Sequence, residues 1–457
     1  MEHTARKFRK SLLFLSKAVL FLFLLGIFSC TWWFFYPVST FWRWGNYLVV
    51  GVYSLILLVF SSLYGATRVG VLRLGEVIYS YSITLVIVNT LTYAQFSMIA
   101  RFLVNPFWLI IMTVVQFLVS SVGSFLINRL YFKIYPARDV AVVYSQKALA
   151  RNVIEKMSLK YDRYHVCVAI SESDGYDEIV KAIDRYSSVF FSDIDLSLRM
   201  KLFSYCSLNG KRVYLLPNFQ DVYIRSSHLT QLFDTPVFYS KNSGLAIEQA
   251  IIKRTMDVLF SVIALIVFSP FMLITAVAIK ICDGGPILYK QDRLTLGGKV
   301  FSLYKFRSMV LDAEKESGAR LSSVNDNRIT PVGRVIRKIR FDELPQFINI
   351  LIGDMSIVGP RPERPEIAMQ YQEALPEFAL RLRMKAGLTG NAQIYGRYNT
   401  SMKDKLLLDL LYIENYSIVL DFKMLFMTIK ILFMPESTEG IQDGSLLPHD
   451  DQLDEDK

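Results

Sequence analysis

Four stretches without a single charged residue, at 18–35, 47–67, 77–100 and 102–128, crowd into the first 128 residues. A helix needs roughly 20 residues to cross the hydrocarbon core of a bilayer, so each run is about long enough. Four such runs in so short a segment exceed what the core of a soluble protein uses. A cleaved signal peptide fits poorly, because the first run is long, shows no small-residue cleavage pattern and ends in the aromatic cluster Trp32-Trp33-Phe34-Phe35-Tyr36. Aromatics in that position suit the membrane–water interface. Residues 1–138 are therefore expected to form a four-helix transmembrane bundle.

Short loops set the orientation, since basic residues favour the cytoplasmic side. Arg6, Lys7, Arg9 and Lys10 precede the first span, Arg68 and Arg73 follow the second, and Arg129, Lys133 and Arg138 follow the fourth, whereas the other two loops carry only Arg43 and Arg101. Both ends of the bundle are expected inside. No ionisable group lies within the spans, and Lys17 sits at an edge where it can snorkel, so the bundle reads as an anchor or assembly platform rather than a transport path.

The formal charge of +10 conceals opposed regions: +10 over 1–138, zero over 139–252, +8 over 253–405 and −8 over 406–457. Cys30, Cys167, Cys206 and Cys282 lie far apart with no C-x-x-C spacing, which suggests neither a zinc site nor a disulfide framework. No nucleic-acid partner is expected.

From Asp139 the texture changes to short β-rich runs alternating with helical patterns: 140–144 then 148–157, 164–170 then 177–186, 189–191 then 196–208, and 212–216. Such alternation argues for βαβ units and a parallel sheet, so 139–245 is expected to be a Rossmann-like α/β domain. The turn Tyr144-Ser145-Gln146-Lys147-Ala148 has no glycine that would let a pyrophosphate approach the backbone, so regulatory or dimer-forming duty is expected in place of cofactor binding. Residues 233–244 read as the linker out.

A fifth uncharged run, 258–279, is interrupted by Ser269-Pro270. Proline there removes a backbone donor and clashes with the preceding turn, so a kink or break is expected. Lys253 and Arg254 before the run, and Lys280, Lys290 and Arg293 after it, mark both flanks as cytoplasmic. A re-entrant helix over 255–281, entering and leaving on one side, satisfies these signals together; an ordinary kinked span stays open from local sequence alone.

Beyond it the chain is rich in arginine and glycine, with Lys305-Phe306-Arg307-Ser308-Met309, Arg337-Lys338-Ile339-Arg340-Phe341-Asp342-Glu343-Leu344-Pro345-Gln346 and Gly359-Pro360-Arg361-Pro362. Two adjacent carboxylates in strongly basic surroundings suit a phosphate-bearing ligand. Asp342 and Glu343 also precede an apolar run with Pro345 near its start, so a merely capped helix is the competing reading. Arginines near a membrane can simply contact lipid head groups. Arg361, held between two prolines, reads as a rigidly presented ligand contact.

At these residues the sequence resembles the bacterial sugar transferases, the long-form polyprenyl-phosphate glycosyl-1-phosphate transferases of the monotopic phosphoglycosyl transferase superfamily. The resemblance covers about 250–435 and rests on Lys253-Arg254 with Asp257, Ser269-Pro270, and the three motifs above. It implies a mainly helical monotopic catalytic domain over 246–435, carried on a re-entrant helix broken at Ser269 and Pro270, in the bacterial inner membrane with its active site at the cytoplasmic face. By analogy Asp342 is the nucleophile that takes a sugar phosphate from a UDP-sugar and releases UMP, and undecaprenyl phosphate is the acceptor. Glu343 would hold Mg²⁺, with Arg337 and Arg361 on the nucleotide or phosphates. Lys253, Arg254, Asp257, Lys305, Arg307 and Pro360 complete the substrate-binding set that the resemblance implies. UDP-glucose or UDP-galactose is the expected donor, exopolysaccharide, capsule or O-antigen synthesis the expected process, and a homodimer the expected state.

Two departures from the family pattern are Thr295, where glycine is usual, and Ile339-Arg340-Phe341, where small or hydroxyl residues are usual. Residues 406–411 and 417–434 suggest helices lying along the interface, and 436–457 reads as an acidic flexible tail. A non-catalytic membrane scaffold or regulator of polysaccharide assembly is the alternative, and intact Asp342, Glu343 and Arg361 argue against it.

Overall fold

A computed structural model describes residues 2–36, 44–239, 244–310, 326, 328–396 and 400–432. The expected tail 436–457, most of the linker's last residues and Arg43 lie outside the described residues. The chain divides into two compact units, Met1–Pro217 and Asn218–Lys457.

The first unit opens with four long helices, α1 Glu2–Phe35, α2 Gly45–Leu63, α3 Leu74–Ala100 and α4 Phe107–Ile134. All four are long and apolar enough to cross a membrane, which makes this a membrane protein with a helical N-terminal region. Leu24, Phe28, Tyr53, Leu57, Leu85 and Val88 face inward, with the Phe28 and Tyr53 rings stacked at 3.7 Å. The aromatic cluster at the end of α1 divides: Trp32 and Tyr36 join the bundle core while Trp33, Phe34 and Phe35 face outward.

A polar cluster ties the bundle together. Tyr53 of α2 donates to Asn89 Oδ1 of α3 (3.0 Å), Asn89 donates to Thr113 (2.8 Å) and Gln116 (3.0 Å) of α4, and Gln116 donates to Tyr53 Oη (2.9 Å) and to the Leu24 carbonyl of α1 (3.0 Å). Within hydrocarbon an unpartnered amide would cost several kcal/mol, roughly, so this closed network favours one arrangement of the helices.

A parallel sheet follows, built from β1 Arg138–Tyr144, β2 Tyr164–Ser171, β3 Ser188–Ser192 and β4 Arg212–Leu215 in the order β2-β1-β3-β4. Between the strands run α5 Lys147–Ser158, α6 Tyr176–Ile183 and α7 Leu196–Leu208. Residues of β1 alternate between two cores: Ala141 and Val143 pack with Ile179, Ile183 and Leu202, and Val140 and Val142 with Val153 and Met157. Helices therefore cover both faces, as a parallel sheet requires.

The second unit begins at α8 Phe219–Ser226 and the hairpin β5 His228–Leu232 and β6 Thr235–Tyr239, ahead of the boundary expected at 245. Then come α9 Ile247–Asp283, the antiparallel pair β7 Leu288–Leu294 and β8 Val300–Phe306, α10 Pro331–Lys338, α11 Gln346–Ile352, β9 Ser356–Val358, α12 Pro365–Ala374, β10 Gly387–Thr389, α13 Asn391–Tyr395, α14 Met402–Glu414 and α15 Ile418–Leu432. Three two-stranded sheets among the helices make the C-terminal region mixed α/β.

The expected break in α9 is absent as an interruption: the helix runs 37 residues through Pro270. Proline leaves the Ile266 carbonyl without its amide partner, and the Ser269 hydroxyl donates to that carbonyl at 2.8 Å. Both halves of α9 pack on the same unit. Phe260 joins the core of Ile350 and Met355, whereas Phe268, Met272, Ala276 and Ile279 pack with Phe306, Ile336 and Leu344. The opposite face leaves Ile266, Leu273, Ile274 and Ile281 exposed.

Expectation and structure also differ at α14. Its Leu406, Leu407 and Leu410 are buried in the unit's own core, so this helix is internal, not interfacial.

Candidate active site

The carboxylate pair is delivered by a short, forced turn. The Thr330 hydroxyl caps α10 by accepting from Gly333 N at 2.9 Å, and two residues past the end of that helix Arg340 takes a left-handed conformation (φ 56°). Few non-glycine residues do so, and such strain gathers at functional sites. Asp342 and Glu343 follow on a single 3₁₀ turn, Phe341–Glu343. Phe341 anchors this turn on α9, with ring centroids 6.3 Å from Phe268 and 6.0 Å from Phe271.

The capped-helix reading does not hold, because α11 starts after Pro345 and has no side-chain cap. Glu343 instead meets cations from three places: Lys305 of β8 at 3.5 Å, Arg361 at 3.6 Å and Arg340 at 3.8 Å. At an effective dielectric near 20, a contact of this length is worth about 4–5 kcal/mol before desolvation is subtracted. Burial alone would raise the Glu343 carboxyl, but Lys305, Arg361 and Arg340 together outweigh it and hold the group well below its ordinary range.

Asp342 differs. None of the described residues hydrogen-bonds or ion-pairs its partly buried carboxylate. Burial first, and then the Glu343 charge, push it up to about 6 despite Lys305, Arg337 and Arg340 nearby. Adjacent carboxylates thus take opposite states: one is held as a fixed charge, the other is left uncommitted in a cationic field.

Arg361 is presented by a backbone clamp. After β9, the carbonyl of Pro360 accepts from Gly387 N (2.8 Å), that of Arg361 from Arg381 Nη2 (3.0 Å), that of Pro362 from Arg293 Nη1 (2.9 Å) and that of Glu363 from Leu294 N (3.0 Å). Arg381 is itself buried, bridging Asp409 at 2.7 Å and Glu363 at 3.3 Å. Glycine is required at 359, where a Cβ would lie 2.3 Å from the Lys385 carbonyl oxygen.

Of the residues expected to bind substrate, the structure gathers Lys305, Arg337 and Arg361 about Asp342 and Glu343, with Pro360 stiffening the loop. It commits four others elsewhere. Lys253 is 6% exposed and bound to Asp421 (2.7 Å), Tyr412 and the Val358 carbonyl. Arg254 caps α11 by donating to the Ile350 and Leu351 carbonyls (2.6 and 2.7 Å). Asp257, also 6% exposed, accepts from Ser356 Oγ and Ile357 N. Arg307 is buried with its guanidinium against Gly285, where a Cβ would lie 2.0 Å from Nη1. A basic pair before a membrane helix looks like a ligand contact in sequence, but here it fastens that helix to β9, α11 and α15.

Arg340, Arg293, Arg381, Glu363 and Asp409 were not in the expected set. Arg340 was visible as a departure from pattern, whereas Arg381 and Asp409 join the site only through packing. The other departure, Thr295, is backbone-extended (φ −131°) and uses its hydroxyl to bridge the Asp354 carbonyl and Ala386 N, so no glycine is needed there.

Residues 248–435 match the family model described as bacterial sugar transferase. The exopolysaccharide production protein PSS of Rhizobium leguminosarum bv. phaseoli is 39% identical over 187 residues, 39% of this chain and 94% of that protein. The UDP-N-acetylgalactosamine-undecaprenyl-phosphate N-acetylgalactosaminephosphotransferase of Aeromonas hydrophila is 40% identical over 46% of this chain and 48% of its own length. The UDP-glucose:undecaprenyl-phosphate glucose-1-phosphate transferase of Escherichia coli K12 is 36% identical, with 48% of each chain covered. This chain belongs to the bacterial sugar transferase family. Its match spans about half the length of the two larger relatives.

Proposed function

We propose that this protein is an undecaprenyl-phosphate glycosyl-1-phosphate transferase that moves a sugar 1-phosphate from a UDP-sugar to undecaprenyl phosphate. The observation that carries the reading is the asymmetric pair: Asp342 without a partner among the described residues, beside Glu343 held by three cations. An Asp342 oxygen attacks the phosphorus that bears the sugar, and the bond from that phosphorus to the bridging oxygen breaks, so UMP leaves with the electron pair. A phosphate oxygen of undecaprenyl phosphate then attacks the same phosphorus and expels the Asp342 carboxylate. Splitting the transfer lets one site serve a water-soluble donor and a lipid acceptor in turn. Lys305, Arg337, Arg340 and Arg361 offset the diphosphate charge.

The donor set suits Mg²⁺, which commonly binds one or two protein carboxylates and completes its shell with substrate phosphates and water. Glu343, with Asp342 adjacent, would hold it. When bound, the ion would neutralise phosphate charge.

Packing of both halves of α9 on one unit supports re-entrant placement, and the basic residues of the short loops and of both flanks of α9 support the bacterial inner membrane with the site on the cytoplasmic side. The parallel strand order β2-β1-β3-β4 with helices on both faces supports a doubly wound, Rossmann-like middle in the broad sense, with the flavodoxin-like order of strands. A homodimer is part of the proposal, to be tested by mass in native-like lipid. Names among the relatives point to glucose and N-acetylgalactosamine, so the donor panel includes both beside UDP-galactose, with exopolysaccharide, capsule or O-antigen synthesis as the process.

The test incubates the full chain in lipid with Mg²⁺, undecaprenyl phosphate and each UDP-sugar, and follows UMP. Release with one donor is expected, together with a phosphosugar adduct that Asp342→Asn abolishes. No UMP with any donor overturns the activity, and an adduct surviving in Asp342→Asn moves the nucleophile.

A further inference from the structure

A second cluster lies in the first unit, on the outer strand β2 and its neighbour β1. Asp139 pairs directly with His165 across the two strands, but the register slips one residue later: Val140 faces Val166 while Ala141 faces Val168. Cys167 is the extra residue of this β-bulge. Bulges re-aim side chains and are enriched next to functional sites. Here the side chains of Asp139, His165 and Cys167 converge, with one donor atom from each inside a 4.8 Å group. His165 Nδ1 lies 3.1 Å from Asp139 Oδ1 and 3.4 Å from Cys167 Sγ.

We propose that Asp139, His165 and Cys167 form a three-ligand site for a borderline divalent transition-metal ion such as Zn²⁺. Ligands about 2.0–2.3 Å from a tetrahedral ion are separated from one another by roughly 3.3–3.6 Å. The two separations from His165 Nδ1 fall within a few tenths of an ångström of that edge, and the Asp139 and Cys167 donor atoms lie within 4.8 Å of each other, so side-chain rotation about these exposed residues closes the set. Imidazole, thiolate and carboxylate together suit zinc-like ions, whereas Mg²⁺ takes oxygen ligands. All three side chains are exposed, so an ion can reach them and a fourth position stays open to water or another ligand. Binding forms a metal–sulfur bond and releases the thiol proton to solvent. The bound ion would pin the outer strand β2 to β1 just after the chain leaves α4. A surface hydrogen-bonded triad without metal affinity is the competing account. The site is independent of Asp342 and of the activity proposed above.

The full-length chain in nanodiscs, stripped with chelator, is titrated with Co²⁺ in the presence of excess Mg²⁺. The expected result is a thiolate-to-cobalt charge-transfer band that saturates at a single equivalent, is bleached by Zn²⁺, is lost in Cys167→Ser and His165→Ala, and persists in Cys30→Ser, Cys206→Ser and Cys282→Ser. Cobalt bound at Glu343 would be oxygen-ligated and give no such band. In the unaltered chain, Zn²⁺ should also slow alkylation of Cys167. Absence of the band, its survival in Cys167→Ser, or alkylation of Cys167 at the same rate with and without Zn²⁺ overturns the proposal.

Discussion

Arg381→Met tests the clamp behind Arg361. The guanidinium is 5% exposed, stacks on Phe378 with its carbon 4.7 Å from the ring centroid, and contacts Asp409, itself 1% exposed, at 2.7 Å. Methionine fills much of the volume but strands the Asp409 charge, and breaking a buried pair from one side costs about 3–5 kcal/mol. A second route gives the same size. Neutralising a carboxyl with an unfolded value near 3.9 costs about 4 kcal/mol at pH 7 and about 1.5 kcal/mol at pH 5.

The sign follows from linkage. Burial already pushes Asp409 up in the native protein, and loss of Arg381 raises it further, so the folded variant binds more protons than the unfolded chain above pH 4. Its extra instability is therefore small in acid and grows by roughly 1.4 kcal/mol per pH unit up to the new folded value. Denaturant-dependent pulse proteolysis of the full chain in nanodiscs at several pH values measures it. Replacing both partners, Arg381→Met with Asp409→Leu, should recover the part of the loss that comes from the stranded Asp409 charge, while Glu363, the other carboxylate on Arg381, keeps Arg361, Lys405 and Arg293 near it. UMP release should stay low in both variants, since each lacks the donor to the Arg361 carbonyl. A loss below about 1 kcal/mol, or one independent of pH, would refute the reasoning that Asp409 is ionised through Arg381.

Asn89→Leu removes the centre of the bundle network and should cost about 1–3 kcal/mol, at interhelical hydrogen-bond strengths of roughly 0.6–1.7 kcal/mol each; steric-trap unfolding in bicelles reads it, and no change would make the network incidental. Gly359→Ala drives a methyl into the Lys385 carbonyl, with no flexible side chain there to give way, so phosphosugar formation should collapse while the four-helix bundle remains protease-resistant; an unaltered rate would deny the close approach. The proposed mechanism needs Asp342 as the carboxylate, and burial beside Glu343 pushes it up to about 6, so on that proposal single-turnover phosphosugar formation should fall close to tenfold for each pH unit below that value. A flat profile down to pH 4.5 would mean that the nucleophile is not raised.

Much of the bundle was legible because crossing a membrane is a local demand. Length and apolarity of each run suffice, and the helices cover most of the four uncharged stretches. The alternation that predicted a parallel sheet was legible for a similar reason, since strand and helix periodicities differ within a few residues. Helix α9 was legible as an apolar element but not in its continuity, because the Ser269 hydroxyl takes over the carbonyl that Pro270 releases. The partners of Lys253 and Asp257 were not legible, because their motif says only that a charge is needed there. Their partners lie 105, 159 and 168 residues away for Lys253 and about 100 away for Asp257.

By itself the sequence determined that the chain carries helices apolar enough to cross a membrane, and that a basic region holding the adjacent carboxylates Asp342 and Glu343 follows them, because hydropathy, charge density and adjacency along the chain need no folding to be read. Only the tertiary structure decided which carboxylate is held and which is left open. Lys305 comes from 38 residues upstream, Arg361 from a loop clamped by Arg293 and Arg381, and Arg340 from a left-handed turn. The same holds for Asp139, His165 and Cys167, whose spacing suggested no metal site until strand register and one bulge placed three donor atoms together. Electrostatic partnership depends on distances of a few ångströms between segments far apart in sequence, and only packing sets those distances.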